Sequence, residues 1–393
     1  MLEYALKGRP KYWIWILCLL VIIAIGFYYW VLEHKLGTGV VCGLHKDLTW
    51  GFHIGQLAFF VGAAASAVMI VLPYYLHNCK EFGRLTVLAE FFAVGMVVVS
   101  MLSVFVIMGQ PQRVFNVLLY PTPHSIIFYD LIVLSTYLFL NLLCGWTVLH
   151  AEYKETKYPS WLKPFIYWAI LWGPSIHMVT AFLIQGLPGR GFWLTAIMAP
   201  RFLASAFSAG PALLLVLALL LKKLTGFDIG KKAVDTLSKI ITYAFIINLL
   251  FICFELFTAF YSGIPEHTEP FIYLFSGLQG HSEWVGFAWA SVILALIGLT
   301  LLVIPQTRKN ETTLVLACIA VVLSVWIDKG LLLMIGGFTP NPQGVVVPYK
   351  PTFGEVMIGV AVWAIGFLIV TILWKIAVSV YQSKNLVVKM KGN

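Results

Sequence analysis

The sequence predicts an all-α integral membrane protein with ten transmembrane helices and both termini cytoplasmic. Three observations carry this. Of the 393 residues, 60% are hydrophobic and only 11% are charged, a balance that soluble globular domains do not keep. The apolar residues fall in runs long enough to cross a bilayer, which takes about 20 residues each, and without water to satisfy the backbone such runs must be helices. The basic residues collect in alternate connections, as membrane orientation requires. The formal charge of +9 therefore points to lipid and not to nucleic acid.

Taken in order, Lys7, Arg9 and Lys11 precede a run over about 12–31. It has the charge pattern of a signal peptide, but it is long and no small-residue cleavage site follows, so it reads as a retained span. The second span, 52–76, opens with LTWGFHIGQ and crowds Gly62, Ala63, Ala64, Ala65 and Ser66, small residues that let helices approach closely. The third, 86–108, ends at MGQPQRVFNVLLYPTPHSIIFYD, where Pro111, Pro121 and Pro123 stop any helix and Gly109 lets the chain turn. The fourth and fifth lie at 127–149 and 161–185, the latter with Gly173-Pro174 predicted to kink or break it. The rest lie at 199–221, 239–262, 284–304, 312–335 and 355–378.

If the N-terminus is inside, 19 of the 26 Lys and Arg residues fall on inner segments and 7 on outer ones. The stretch KKLTGFDIGKKAVDTLSK between the sixth and seventh spans is the main predicted cytoplasmic anchor, in reach of anionic head groups. The outer loops are rich in Gly, Pro, His and aromatic residues, as a ligand mouth or docking platform would be.

Polar residues within spans are costly and often functional. Asp130, His177, Glu255 and Asp328 are expected at a shared outer depth, with Glu283 and Glu355 opening the eighth and tenth spans. Glu90 lies nearer the inner face; with Asp130, Glu255 and Asp328 it forms a candidate proton path. Lys329 is expected to neutralise its neighbour Asp328. Trp50, His53 and Gln56 flank the outer end of the second span, and Arg113 and His124 occupy the proline-rich loop. Together with His177 they are the candidate contacts for a polar ring-shaped ligand. His53 with His177, and His77 with His150, are also pairs at which a haem would be sought. The six cysteines are single, without the C-x-x-C spacing of zinc or iron–sulfur sites, so no iron–sulfur cluster is expected in this chain.

These residues resemble a known family. TWG-x-x-IG with its small-residue span, GQPQRVFNVLLYPTPHS, and the stretch from Ser175 to Gly210 are similar to marked segments of the NrfD/PsrC group of membrane subunits. The C-terminal stretch beginning at Trp326 resembles the ten-helix DsrP branch of the DsrMKJOP redox complex, with HmcC-type subunits as near relatives. The resemblance covers about 48 to the end.

It implies a single membrane domain of two four-helix bundles, about 50–185 and 199–335, with flanking helices at 12–31 and 355–378. It further implies a subunit with no redox cofactor of its own, exchanging electrons between menaquinone and a ferredoxin-like iron–sulfur subunit on the outer face. Other membrane and cytochrome subunits and a link to sulfur metabolism follow from the same likeness. On it, His177 is the expected acceptor of a quinol proton, with Asp130 orienting it or receiving the proton next. Many relatives carry an acid before Gly109 and an arginine after it; Met108 and Gln110 stand there instead, so no proton role transfers to that position. A structural anchor, a transporter and a di-haem cytochrome b are the competing readings.

Overall fold

The computed structural model describes residues 1–391, with side chains described through Ser383. Among the described residues, ten helices are long and apolar enough to span a membrane: α1 Pro10–Leu36, α2 Phe52–Leu76, α3 Lys80–Phe105, α4 Ile126–Tyr153, α5 Leu162–Gln185, α6 Met198–Thr225, α7 Lys231–Ser262, α8 Val285–Val303, α9 Glu311–Phe338 and α10 Phe353–Ser383. Every predicted span is present. A short helix, Pro265–Phe275, joins α7 to α8. An even number of spans leaves both ends of the chain on one side, here the terminal face. The connections 37–51, 106–125, 186–197, 263–284 and 339–352 lie on the opposite face.

Local chemistry sets the helix ends. Pro10 begins α1, where its missing N–H costs nothing. Asn310 caps α9, accepting bonds from the amides of Thr312 at 2.9 Å and Thr313 at 3.4 Å. Gly226, at φ 73°, ends α6 in the left-handed conformation. Because α7 begins at Lys231, only 226–230 separates it from α6. The expected long cytoplasmic loop is thus mostly helix, its lysines lying on the helix ends.

Helices α2 to α5 pack as one group and α6 to α9 as another, joined where α2 and α5 meet α6 and α2 meets the outer part of α9. Helix α10 lies on α3, and α1 lies on α10. The most apolar stretches of α2 and α3 are 78% buried, against 11% for α1, so the centre is in the first group and α1 faces lipid. Small residues make the joint: a Cβ at Gly210 of α6 would lie 2.4 Å from the Cβ of Ser66.

Two irregularities occur at this joint. Helix α2 is interrupted at Ser66-Ala67, where Ser66 Oγ donates to the Ala63 carbonyl at 2.6 Å. Helix α9 widens into a π-turn over Asp328–Leu332. Of the kink or break expected at Gly173-Pro174, the break does not occur: α5 is continuous from Leu162 to Gln185. Packing holds it, with Gly173 set against Val68 and Tyr137.

Candidate functional site

Two consecutive residues of the π-turn begin the site. Successive side chains on a helix diverge by about 100°, so Asp328 and Lys329 face different neighbours. Asp328 accepts from Arg201 Nη2 of α6, at 2.8 Å to each carboxylate oxygen, while Arg201 Nη1 pairs with Glu255 of α7. Arg201 and Glu255 are buried; the Asp328 side chain keeps 25% exposure. The expected neutralisation of Asp328 by Lys329 therefore gives way to a triad centred on Arg201. Within it, two carboxylates face one guanidinium.

Lys329 turns instead toward the joint between the helix groups. Its ammonium lies 3.2 Å from Ser205 Oγ, 3.8 Å from the centre of the Phe202 ring, and in direct contact with His177 Nε2. His177 is completely buried, its ring 5.0 Å from that of Phe202. Gly62 makes room for it, since a Cβ there would lie 3.2 Å from two of its ring atoms. Among the described residues, His177 Nδ1 makes no hydrogen bond of good geometry, and the Phe202 backbone lies near the ring. The space beside Lys329, Gly62 and Ala206 is too narrow to hold a water molecule.

Gln56 supports the turn. Its Nε2 donates to the Gly330 carbonyl at 3.1 Å, and its Oε1 accepts from Trp326 Nε1 at 2.8 Å. The Gln56 amide therefore holds the π-turn and is not turned toward an open ligand space. Gly55 permits the approach: a Cβ there would fall 1.9 Å from the Gly330 oxygen. From both bundles the interacting groups stand about 5–14 Å from the helix ends on the opposite face, at 1.5 Å per residue.

The other predicted residues lie in different settings. Asp130 is buried but accepts from Thr180 Oγ1 at 2.8 Å, one turn along α5 from His177. The hydrogen bond by which Asp130 was to orient His177 is thus made to Thr180 instead. His53 is buried with neither ring nitrogen bonded among the described residues. It lies nine residues before Gly62, about 14 Å along α2, too far to share one ring with His177. Trp50 is half-buried, with its ring against Phe338. Arg113 and His124 are exposed, so the proline-rich loop does not bring them to Asp130. Glu90 is buried between α3 and α4, close to Gly145, with one carboxylate oxygen unbonded among the described residues. His77 and His150 are exposed at helix ends.

Arg201, Lys329 and Ser205 are the members that sequence reasoning missed. Arg201 lies close to a span end and reads as an outer charge, and Lys329 reads as the partner of its neighbour Asp328; no local pattern names partners 54 and 127 residues from Arg201. A second feature stands nearer the opposite surface. There, a cleft of about 280 Å³ opens between 189–192, 265–270 and 336–344, with Arg190, Glu266 and Glu269 in its walls. Among the described residues no three His, Cys, Asp or Glu side chains gather as metal ligands would.

The sequence has relatives with the same extent. A putative dimethyl sulfoxide reductase membrane subunit of Halobacterium salinarum is 24% identical, over 91% of this chain and 89% of its own. An Hdr-like menaquinol oxidoreductase integral membrane subunit of Archaeoglobus fulgidus is 21% identical, over 91% of each chain. A selenate reductase subunit of Mesobacillus selenatarsenatis is 22% identical, over 77% of each. The sequence model described as polysulphide reductase, NrfD, matches residues 40–341, which take in every residue of the buried cluster. This multi-pass membrane protein belongs to the NrfD polysulphide reductase family.

Proposed function

We propose that this subunit binds menaquinol or menaquinone in the half of the membrane nearest the opposite face. It would exchange electrons with an iron–sulfur subunit docked there. The observation that carries the reading is His177: a wholly buried imidazole, braced on one nitrogen by Lys329 and without a well-formed partner on the other among the described residues. A group that handles a substrate proton needs that arrangement. The menaquinol oxidoreductase name of one relative supports a quinol as the substrate class.

Quinol supplies two electrons and two protons. His177 holds or takes a proton at Nδ1, and Lys329, itself held by Ser205, fixes the ring. His53 and Trp50, about 14 Å farther out along α2, mark the approach for a head group and do not contact it at the same time as His177. Asp130 and Thr180 form a separate hydrogen-bonded pair one turn away, a second resting place for a proton. Glu90 would continue a path inward, although the tight packing beside Lys329 leaves no water to connect them.

Charge favours the opposite face as the outer one. Of the seven basic residues assigned to it, Arg201 and Lys329 are buried in the cluster, which sharpens the excess on the terminal face. The cleft walled by Arg190, Glu266 and Glu269 gives a docking subunit a polar foothold there. The other partners would be the membrane and cytochrome subunits of a DsrMKJOP-like complex, linked to sulfur metabolism.

The test is quinone extraction and electron transfer with the purified complex, comparing wild type with His177→Ala. The variant should assemble, lose bound quinone and lose quinol-dependent cluster reduction. Unchanged reduction would remove His177 from the site; a wild-type complex with no quinone and no response to quinol would leave a structural anchor.

A further inference from the structure

We propose that Lys329 is a positioning residue in a proton relay through His177, and that its charge decides whether His177 offers the quinone oxygen a donor or an acceptor. This rests on the quinone-site reading above and assigns a role to a residue outside that reading's substrate contacts.

A neutral imidazole carries one ring proton. When Lys329 is an ammonium it donates to His177 Nε2, so the ring proton sits on Nδ1 and can be given to a carbonyl oxygen. When Lys329 is an amine, Nε2 keeps the proton and donates it to Nζ. Nδ1 then presents a lone pair to a hydroxyl. One proton passing through the ring connects the two states. Nδ1 takes the hydroxyl proton, and the O–H bonding pair stays on the substrate oxygen. At the same time the Nε2–H bond breaks and a new N–H bond forms at Lys329. No electron moves in this step; the electrons leave to the iron–sulfur partner. The reverse step serves quinone reduction.

The groups that receive an ammonium at Lys329 are Ser205 Oγ, at 3.2 Å, and the face of the Phe202 ring, at 3.8 Å. Arg201 is taken up by Glu255 and Asp328, which together leave that triad one net negative charge. The neighbouring helices are few. Arg201 comes from α6, Glu255 from α7, His177 from α5 and Asp328 from the π-turn itself; α2 adds Gln56 and, farther out, His53. Helix α8 brings no charged residue, its Ser291 being bonded to Ser324.

The experiment uses the purified complex with menadione as the quinone probe and menadiol as the quinol, binding being read by tryptophan quenching. In wild type, menadione affinity should fall as pH is raised and the Nδ1 donor is lost. Lys329→Arg keeps the charge but cannot release it. It should bind menadione with no pH dependence and oxidise menadiol about 100-fold more slowly, the scale of a lost acid–base step. The charge-balanced Lys329→Met/Asp328→Asn should assemble and be slowed to a similar extent. A flat wild-type binding profile overturns the relay, whatever the variants do. So does either variant working at the wild-type rate, which would leave Lys329 a charge balancer only. If His177→Ala binds menadione as wild type does, the quinone site itself fails, and not merely the relay.

Discussion

Arg201→Met is the perturbation whose consequence follows most directly from the geometry. Among the described residues, Arg201 is the single counter-charge contacting both Glu255 and Asp328. Glu255 is closed from solvent, so removing its partner exposes the full cost of breaking a buried pair, about 3–5 kcal/mol. The Asp328 side chain is one-quarter exposed and can recover hydration, so its loss adds about 1 kcal/mol at most. A total near 4 kcal/mol is roughly a thousandfold shift in the folded-to-unfolded ratio. Thermal unfolding in detergent, followed by the fluorescence of the 14 tryptophans, should rank the variants Arg201→Met, Glu255→Gln, Asp328→Asn, from most to least damaging. Arg201→Met/Asp328→Asn should melt higher than Arg201→Met alone, because it brings the triad's charge back from minus two to the wild-type minus one while losing more contacts. If Arg201→Met melts with wild type, or Asp328→Asn is the worst of the three, the charge argument is wrong.

Further outcomes can be checked alongside it. Gly55→Ala, whose Cβ would fall 1.9 Å from the Gly330 backbone oxygen, should displace the π-turn and lower both melting temperature and quinol-dependent activity. Gly109→Ala, with nothing within 4 Å of its Cβ, should leave both unchanged. Tyr349→Phe removes a hydroxyl that donates to Glu355 at 2.6 Å and accepts from the Phe52 amide at 2.8 Å. A loss of about 1–3 kcal/mol is expected in unfolding measurements. On the terminal face, the Gly230 amide and then the Lys222 ammonium hold Asp228 below the usual carboxylate range. The stability this adds is present above the ordinary carboxylate pKa and is lost as pH falls through the lowered one. Protection factors in 226–230, taken against the intrinsic exchange rate at each pH, should therefore fall in acid, and Asp228→Asn should remove that dependence.

Hydropathy made the ten spans legible, because each apolar run is a local property and the bilayer fixes its length. The site was only half legible. Asp130, His177, Glu255 and Asp328 read as buried polar residues at one depth because each is anomalous against its own neighbours. Lys329 was paired with its neighbour Asp328, and Arg201 was not anomalous in that way. A cation a few residues from a span end looks like an interfacial charge, and what draws it inward is a carboxylate or imidazole on another helix. The missing Asp130–His177 contact has a similar origin. Residue depth can be counted along a helix, but which side chain of α5 faces Asp130 depends on how α4 and α5 rotate against each other. There Thr180 takes the place. Proline was misleading at Pro174, where close packing keeps α5 continuous, whereas the break in α2 came from serine and small residues.

The location of the two irregular turns follows from what the joint has to do. A regular α9 satisfies its own carbonyls and presents one face to its neighbours. The π-turn loosens that ladder over Asp328–Leu332, and Gln56 of α2 takes up the Gly330 carbonyl. Within it, adjacent residues reach separate partners: Asp328 enters the ionic triad with α6 and α7, and Lys329 reaches His177 of α5. The charge of the second helix group is thereby placed one residue from the imidazole of the first. Lys329, in contact with His177, is the residue next to Asp328 of the triad. Restoring a regular helix, by deleting one residue from Asp328–Leu332, should therefore leave ten spans in place. It should separate Lys329 from His177, and the pH dependence of quinone binding would disappear before the fold does.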